Sequence, residues 1–395
     1  MPVSINQMEL ARRLRLARTG VGLSQDAVAA ELKVPRPTIS QIEAGKRGVS
    51  SLELMKLAKL YGRPLSAFFE DDFELNYSED PLTVLFRATE LRREDRDVLS
   101  EFETLCRNYS HLEELLGLNG EIPLPDFSNV GEPRNKVEAI RQGKQVASEE
   151  RRRLGIGDDP IRNVFELLES QGIRVFVREL HESSISGLFM YGRAIGPCIL
   201  INGKEHRNRL AFNAAHEYAH VILDRKLQAR ASSTSQQIGD PEEYNEFLEV
   251  RANSFAAAFL LPASGIERFL WDRGMTRRTK SSLQVVHILY LQRAFGVSYQ
   301  AALYRLQNLG WLSRAQREEL AKCHPDILGH ELGLHDESEK YLANYPLRYV
   351  YLALEAYRQA KIPVEKLASF MGKSLPEAKQ LVKKLKVRSE AVAST

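Results

Sequence analysis

At 395 residues, with 43% hydrophobic and 27% charged residues, the chain is too long for one compact unit and too apolar to be disordered. No apolar run approaches the roughly 20 residues that cross a bilayer, and the start lacks a signal-peptide pattern, which predicts a cytoplasmic protein without membrane contact. Cys106, Cys198 and Cys323 lie far apart and give no disulfide framework. The net charge of +3 is unevenly spread, because residues 1–70 hold 11 Lys/Arg against 6 Asp/Glu. A small basic module on a near-neutral body is the electrostatic layout of a nucleic-acid reader with a second function.

The N-terminal 70 residues read as five short helices. Gln7–Ala17 is the first, and Ser24 offers an N-cap to the second, Gln25–Leu32. Pro35 and Pro37 begin a third that ends near Ala44, and Ser51–Tyr61 and Pro64–Phe69 supply two more. Leu52, Leu54, Met55, Leu57, Ala58 and Leu60 give the fourth helix a broad face that is expected to be buried. The second and third helices have the grammar of a helix-turn-helix. Ala29 and Ala30 allow close approach, Val34, Ile39 and Ile42 face the core, and Arg36, Thr38 and Gln41 are left outward where a recognition helix meets base edges. Arg pairs bidentately with guanine and Gln with adenine. Gln25 can donate to phosphate or base, and Lys46 and Arg47 suit backbone contacts.

The acid-rich stretch Asp71–Asp80 marks a boundary. Beyond it Val98, Phe102, Leu105, Tyr109, Leu112 and Leu116 recur at heptad spacing. They form either a dimer seam or one face of a helix packed on its own chain. Pro123, Pro125, Gly131 and Pro133 read as a linker. From Asn135, helices over Lys136–Leu154 and Ile161–Gln171 lead into strands at Ile173–Arg178, Gly187–Tyr191 and Pro197–Ile201. Helices Glu205–Leu223 and Glu242–Leu260 follow, and the remainder is largely helical, including Leu283–Ala294, Ala301–Leu309, Arg348–Gln359 and Val364–Met371. The division expected is 1–70, 71–134, 135–265 and 266–395. The fold class expected is mainly α with a small β-sheet.

The sharpest chemical signal is His216-Glu217-Tyr218-Ala219-His220. Four residues along a helix turn about 400°, so the two imidazoles stand about 40° apart and can grip one ion from the same side. Glu217 lies about 100° round and can act as a base on water rather than ligate. A catalytic zinc needs a third ligand, for which Glu249 is the best candidate and Glu246 the runner-up, with Asp224 and His181 weaker options. Asn253, one turn beyond Glu249, can hydrogen-bond a ligand histidine and fix its ring. His330 and His335 imitate the motif, but five residues of helix diverge by about 140°. With Cys323 and His324 nearby, they read as loop residues rather than a second site. Val364–Lys384 is a weak second helix-turn-helix lookalike, read as core packing.

Residues 8–69, with their Ser-Gln start and Glu43-Ala44-Gly45 end, resemble the Xre/Cro-type repressor domain. Residues 135–265 resemble the ImmA/IrrE metallopeptidases. The matching motifs are the strand Pro197–Asn202, the helix bearing Phe212, Ala215, His216, Glu217 and His220, and the run from Glu249 through Ala252-Asn253-Ser254-Phe255-Ala256 to Leu260-Leu261-Pro262. Ala219 stands where that family commonly has glycine, and Asn213 where threonine is common. The resemblance implies a five-helix DNA-binding domain, a zincin-like α+β peptidase domain and a helical C-terminal extension. It also implies one zinc held by His216, His220 and a downstream Glu, with Glu217 as base. Its known members cut repressor proteins under stress or on a cue. The partners expected are a double-stranded operator, a repressor-like protein substrate or the chain itself, and a second copy in a homodimer, since such readers engage paired half-sites. The alternative is a DNA-binding switch whose zinc fold senses a ligand or metal without proteolysis.

Overall fold

The computed structural model describes residues 6–20, 23–61, 65–69, 93–118, 124–181, 185–192, 195–205, 207–225, 241–277, 283–332 and 345–385. Asp71–Asp80 and His335 lie outside the described residues.

Side-chain caps set the N-terminal helices α1 (Gln7–Gly20), α2 (Gln25–Leu32), α3 (Arg36–Glu43) and α4 (Ser51–Leu60). Ser24 accepts the Ala27 amide, and Ser50 and Glu53 cap each other reciprocally at the start of α4. The expected fifth helix is a 3-10 turn, Leu65–Phe69. Leu14, Val28, Ile39, Ile42, Leu57, Tyr61 and Phe68 form this bundle's core. The buried face of α4 is narrower than its apolar pattern suggests, because Leu52 and Met55 stay exposed while Leu54, Leu57 and Ala58 are buried.

Among the described residues, the body is built on three strands, β1 (Arg174–Arg178), β2 (Gly187–Gly192) and β3 (Gly196–Asn202), in the order β1-β3-β2. β3 runs parallel to β1 and antiparallel to β2, with Arg174 opposite Cys198 and Phe189 opposite Ile199. Alternate side chains go to opposite faces, and both faces are covered. Val175, Phe189, Ile199 and Ile201 enter one core, while Phe176, Leu188, Met190, Cys198 and Leu200 enter another.

The first core is shared with α6 (Lys136–Arg153), α7 (Val164–Ser170), α8 (Arg207–Leu223) and α9 (Pro241–Leu260). It also takes in α10 (Ala263–Trp271), α11 (Val285–Phe295) and α12 (Tyr299–Asn308). α13 (Arg314–Leu320) and α14 (Pro325–Glu331) add partly buried residues at its margin. Helices α6 and α9 pack closely along their length, and Gly143 permits it: a Cβ there would collide with the Arg251 carbonyl oxygen. The proline-bearing stretch before α6 is not a free spacer. Leu124, Phe127 and Val130 pack on this core, and the Phe127 amide donates to the Ile222 carbonyl.

The second core brings α5 (Arg93–Leu115) together with α15 (Leu347–Arg358), α16 (Val364–Phe370) and α17 (Leu375–Lys384). Phe102, Leu105, Tyr109 and Leu112 of the heptad pattern are buried here, against the outer face of the sheet and against Tyr349 and Leu352. Of the two readings of that seam, the helix packed on its own chain is the one observed. Leu367, Phe370 and Val382 join the same core, so the second helix-turn-helix lookalike is a packing element. Among the described residues, no helix is long and apolar enough to cross a membrane.

Candidate metal centre

Helix α8 carries His216, Glu217 and His220, and α9 crosses it with Glu249. The His216 and His220 Nε2 atoms are 3.1 Å apart, and Glu249 sends one carboxylate oxygen to each, at 3.1 Å and 3.4 Å. Among the described residues, His216, His220 and Glu249 are the one such group able to hold a metal ion, with ligand atoms all within 4.8 Å of one another. Two neutral imidazoles and a carboxylate are the donor set of a catalytic zinc that keeps a position open. Glu246 is exposed and stands outside the group, and His181 pairs with Asp95 elsewhere. Cys323 and His324 join no such cluster among the described residues.

The outer nitrogen of each ring is held. The His216 Nδ1 lies 3.2 Å from the Asn253 Oδ1, the contact expected from the one-turn spacing of Asn253 and Glu249. The His220 Nδ1 lies 2.7 Å from the Asp224 Oδ2. Asp224 thus stands outside the group and holds the second ring, and its own charge is met by Arg251. Arg251 in turn donates to the Gly131 carbonyl at 2.9 Å and the Gln142 side chain at 3.1 Å. Phe189 of β2 stacks on His220 with an interplanar angle of 10°. The motif spacing gives no signal for Arg251, Gln142 or Phe189; a buried Asp requires a cation, but the sequence does not show that Asp224 is buried.

Glu217 is 7% exposed and sits under β2. A Cβ on Gly187 would come within 2.9 Å of its Oε1, so the strand passes as near to the carboxylate as backbone can. Burial pushes the Glu217 carboxyl up from the usual carboxylate range, against the pull of the neighbouring histidines. Burial opposes the charge on His220, but hydrogen bonds to Asp224 and Glu249 outweigh it and raise the imidazole to about 10. Burial also opposes ionisation of Glu249, yet His216 and His220 hold its carboxyl well below the ordinary value. The cluster therefore holds positive charge at its centre, where a cation would displace the imidazole proton.

In the N-terminal bundle, Arg36, Gln41 and Lys46 are exposed and Thr38 is half-buried. Arg36 stands 3.5 Å from Asp26, a solvated pair. Gln25 is turned inward, donating to Glu43 at 2.8 Å, and Glu43 is also clasped by Arg18. Arg47 donates to Glu53 at 2.8 Å. Gly45 closes α3 at a positive φ of 67°, against Met8, where any side chain would collide.

Together the α3 face and the α8–α9 cluster define a class: a DNA-binding regulator joined to a protease-family domain. Residues 14–68 match the helix-turn-helix family and residues 168–307 match the IrrE N-terminal-like domain family. No curated protein matches the chain. The chain is thus similar to an Xre-type helix-turn-helix fused to a domain of the ImmA/IrrE type.

Proposed function

We propose that this regulator reads an operator through α3 and cleaves a protein, a repressor or its own chain, with a zinc-dependent endopeptidase domain in response to a signal. The observation that carries this is the convergence of His216, His220 and Glu249 beside the buried carboxylate of Glu217. His216, His220 and Glu249 would hold one zinc ion, and Asn253 and Asp224 would keep the rings turned toward it. A zinc held there would polarise the scissile carbonyl and acidify a water molecule. Glu217 takes the proton from the attacking water and passes it to the leaving amine nitrogen, a role suited to a carboxyl whose pKa burial has raised. Among the described residues, no strand pairs with the outer edge of β2. An extended peptide would add there by backbone hydrogen bonds, beside Gly187 and so beside Glu217.

On the DNA side, Arg36, Thr38 and Gln41 would meet base edges, and Lys46 would meet the phosphate backbone. Gln25 and Arg47 also brace the bundle, through Glu43 and Glu53.

The test is digestion of candidate repressors, and of the chain itself, by zinc-loaded protein beside Glu217→Gln. The variant should retain one zinc per chain and lose cleavage by about 10²–10⁴-fold. Unchanged cleavage overturns the assigned base. A zinc-loaded wild type that cuts nothing, yet changes its DNA affinity on a cue, favours a sensor without turnover.

A further inference from the structure

On the body, toward the end of α9 that lies away from Glu249, a cleft of about 420 Å³ opens between α6, the Gly157–Asp158 loop, the start of α10 and α12. It is lined by four cations, Lys144, Arg151, Arg152 and Arg305, against one acid, Asp158. Two of those cations are buried: Arg151 is 3% exposed and Arg305 is 5% exposed.

Neither buried guanidinium makes a hydrogen bond or ion pair with an acid among the described residues, the pairing that burial normally demands. Arg151 donates only to carbonyls, those of Gly157, Phe259 and Asp159. Arg305 makes one hydrogen bond, from Nε to the Leu261 carbonyl at 2.8 Å. Its two terminal nitrogens have no partner among the described residues, and they belong to a side chain lining the cleft. Burial lowers both arginines to about 10, against the pull of Asp158 and Asp159 on Arg151 and with no opposing charge on Arg305. Helix α10 adds a third source of positive potential. Its first residues, Ala263 and Ser264, line the cleft, and no side chain caps its amides. On the rim, Lys144, Ser148 and Arg152 are exposed and hold no partner among the described residues.

We propose that this cleft binds a small phosphate monoester carrying hydroxyl groups, of the nucleotide or sugar-phosphate kind. The phosphate sits on Arg305 and the α10 amides, with Lys144 and Arg152 closing from the rim. The cleft is larger than inorganic phosphate alone requires, and it falls in the range that small organic ligands occupy. Ala258, Pro262 and Leu309 offer apolar wall to the organic part, and Asp158 is an acceptor suited to its hydroxyls. The cleft shares α6 and α9 with the metal centre but none of its residues.

The experiment is calorimetric titration of the full chain, at constant ionic strength, with inorganic phosphate, ribose 5-phosphate, AMP and citrate. Saturable binding of an ester is expected, with AMP stronger than ribose 5-phosphate if the base contributes. Lys144→Ala combined with Arg152→Ala changes only exposed side chains and should weaken ester binding by about tenfold or more. Arg305→Met should do the same, and the surface pair decides the matter if that variant fails to fold. Arg36→Ala controls for phosphate caught by the DNA-reading face and should leave the affinity unchanged. The proposal is overturned if no phosphate probe saturates, or if the surface pair leaves ester affinity intact. It is overturned equally if citrate binds better than every ester, or if inorganic phosphate binds as tightly as they do.

Discussion

The N-terminal bundle and the metal centre both bury charge, but they balance it differently. In the bundle, Glu43 is clasped by Arg18 and by the Gln25 amide, so acid and base cancel and every strong acceptor is used. In the metal centre three carboxylates, Glu217, Asp224 and Glu249, stand around two imidazoles and a single guanidinium, Arg251. The first arrangement is complete as a folded unit. The second is balanced only by the proton that His220 holds, which a divalent cation would displace. Self-sufficiency marks the braced scaffold, and a deficit marks the working site.

The strongest way to break that contrast is to remove the one fixed cation beneath the centre. Arg251→Met leaves Asp224 buried without its partner and should cost the body about 3–5 kcal/mol in denaturant unfolding. The melting of the N-terminal bundle, which has its own core, should not move. Next in size is metal removal. Chelation should lower the body's stability by about 2.7 kcal/mol when free zinc had stood at 100 times its Kd, again without effect on the bundle. A uniform shift of both transitions would show that the two regions do not respond separately. Asn253→Ala sharpens the comparison within the centre, since it frees the His216 ring while keeping all three ligands. Zinc affinity, read by competition with a chromophoric chelator, should fall about 10–100-fold. The smallest effect is expected at the other end of the molecule. Gln41→Ala should weaken operator binding by about 1–3 kcal/mol and leave zinc content unchanged.

What could be read from the sequence was what depends on helical geometry. The spacing of His216, His220, Glu249 and Asn253 fixes which faces they share, and the structure brings all four together. The strands likewise emerged from their apolar runs. What escaped was set by contacts between distant segments. Asp224 reads as a spare ligand until α9 places Arg251 behind it, and Gly131 reads as spacer until its carbonyl meets that same arginine. The heptad pattern of α5 could not reveal its partner, because a seam facing a sheet and a seam facing a second chain present the same periodicity. Leu52 and Met55 illustrate the converse, since an apolar spacing alone does not say that a neighbour is present to cover it.

The two-sided cover of the sheet has a practical consequence. Phe176, Leu188, Met190 and Leu200 on its far face are roofed by α5 and by the last three helices, which lie on either side of residues 135–265 in the chain. Trimming the polypeptide to that central stretch would keep His216, His220 and Glu249 yet lay bare a greasy facet, inviting clumping. The protease-family half is thus tailored to travel with its flanks.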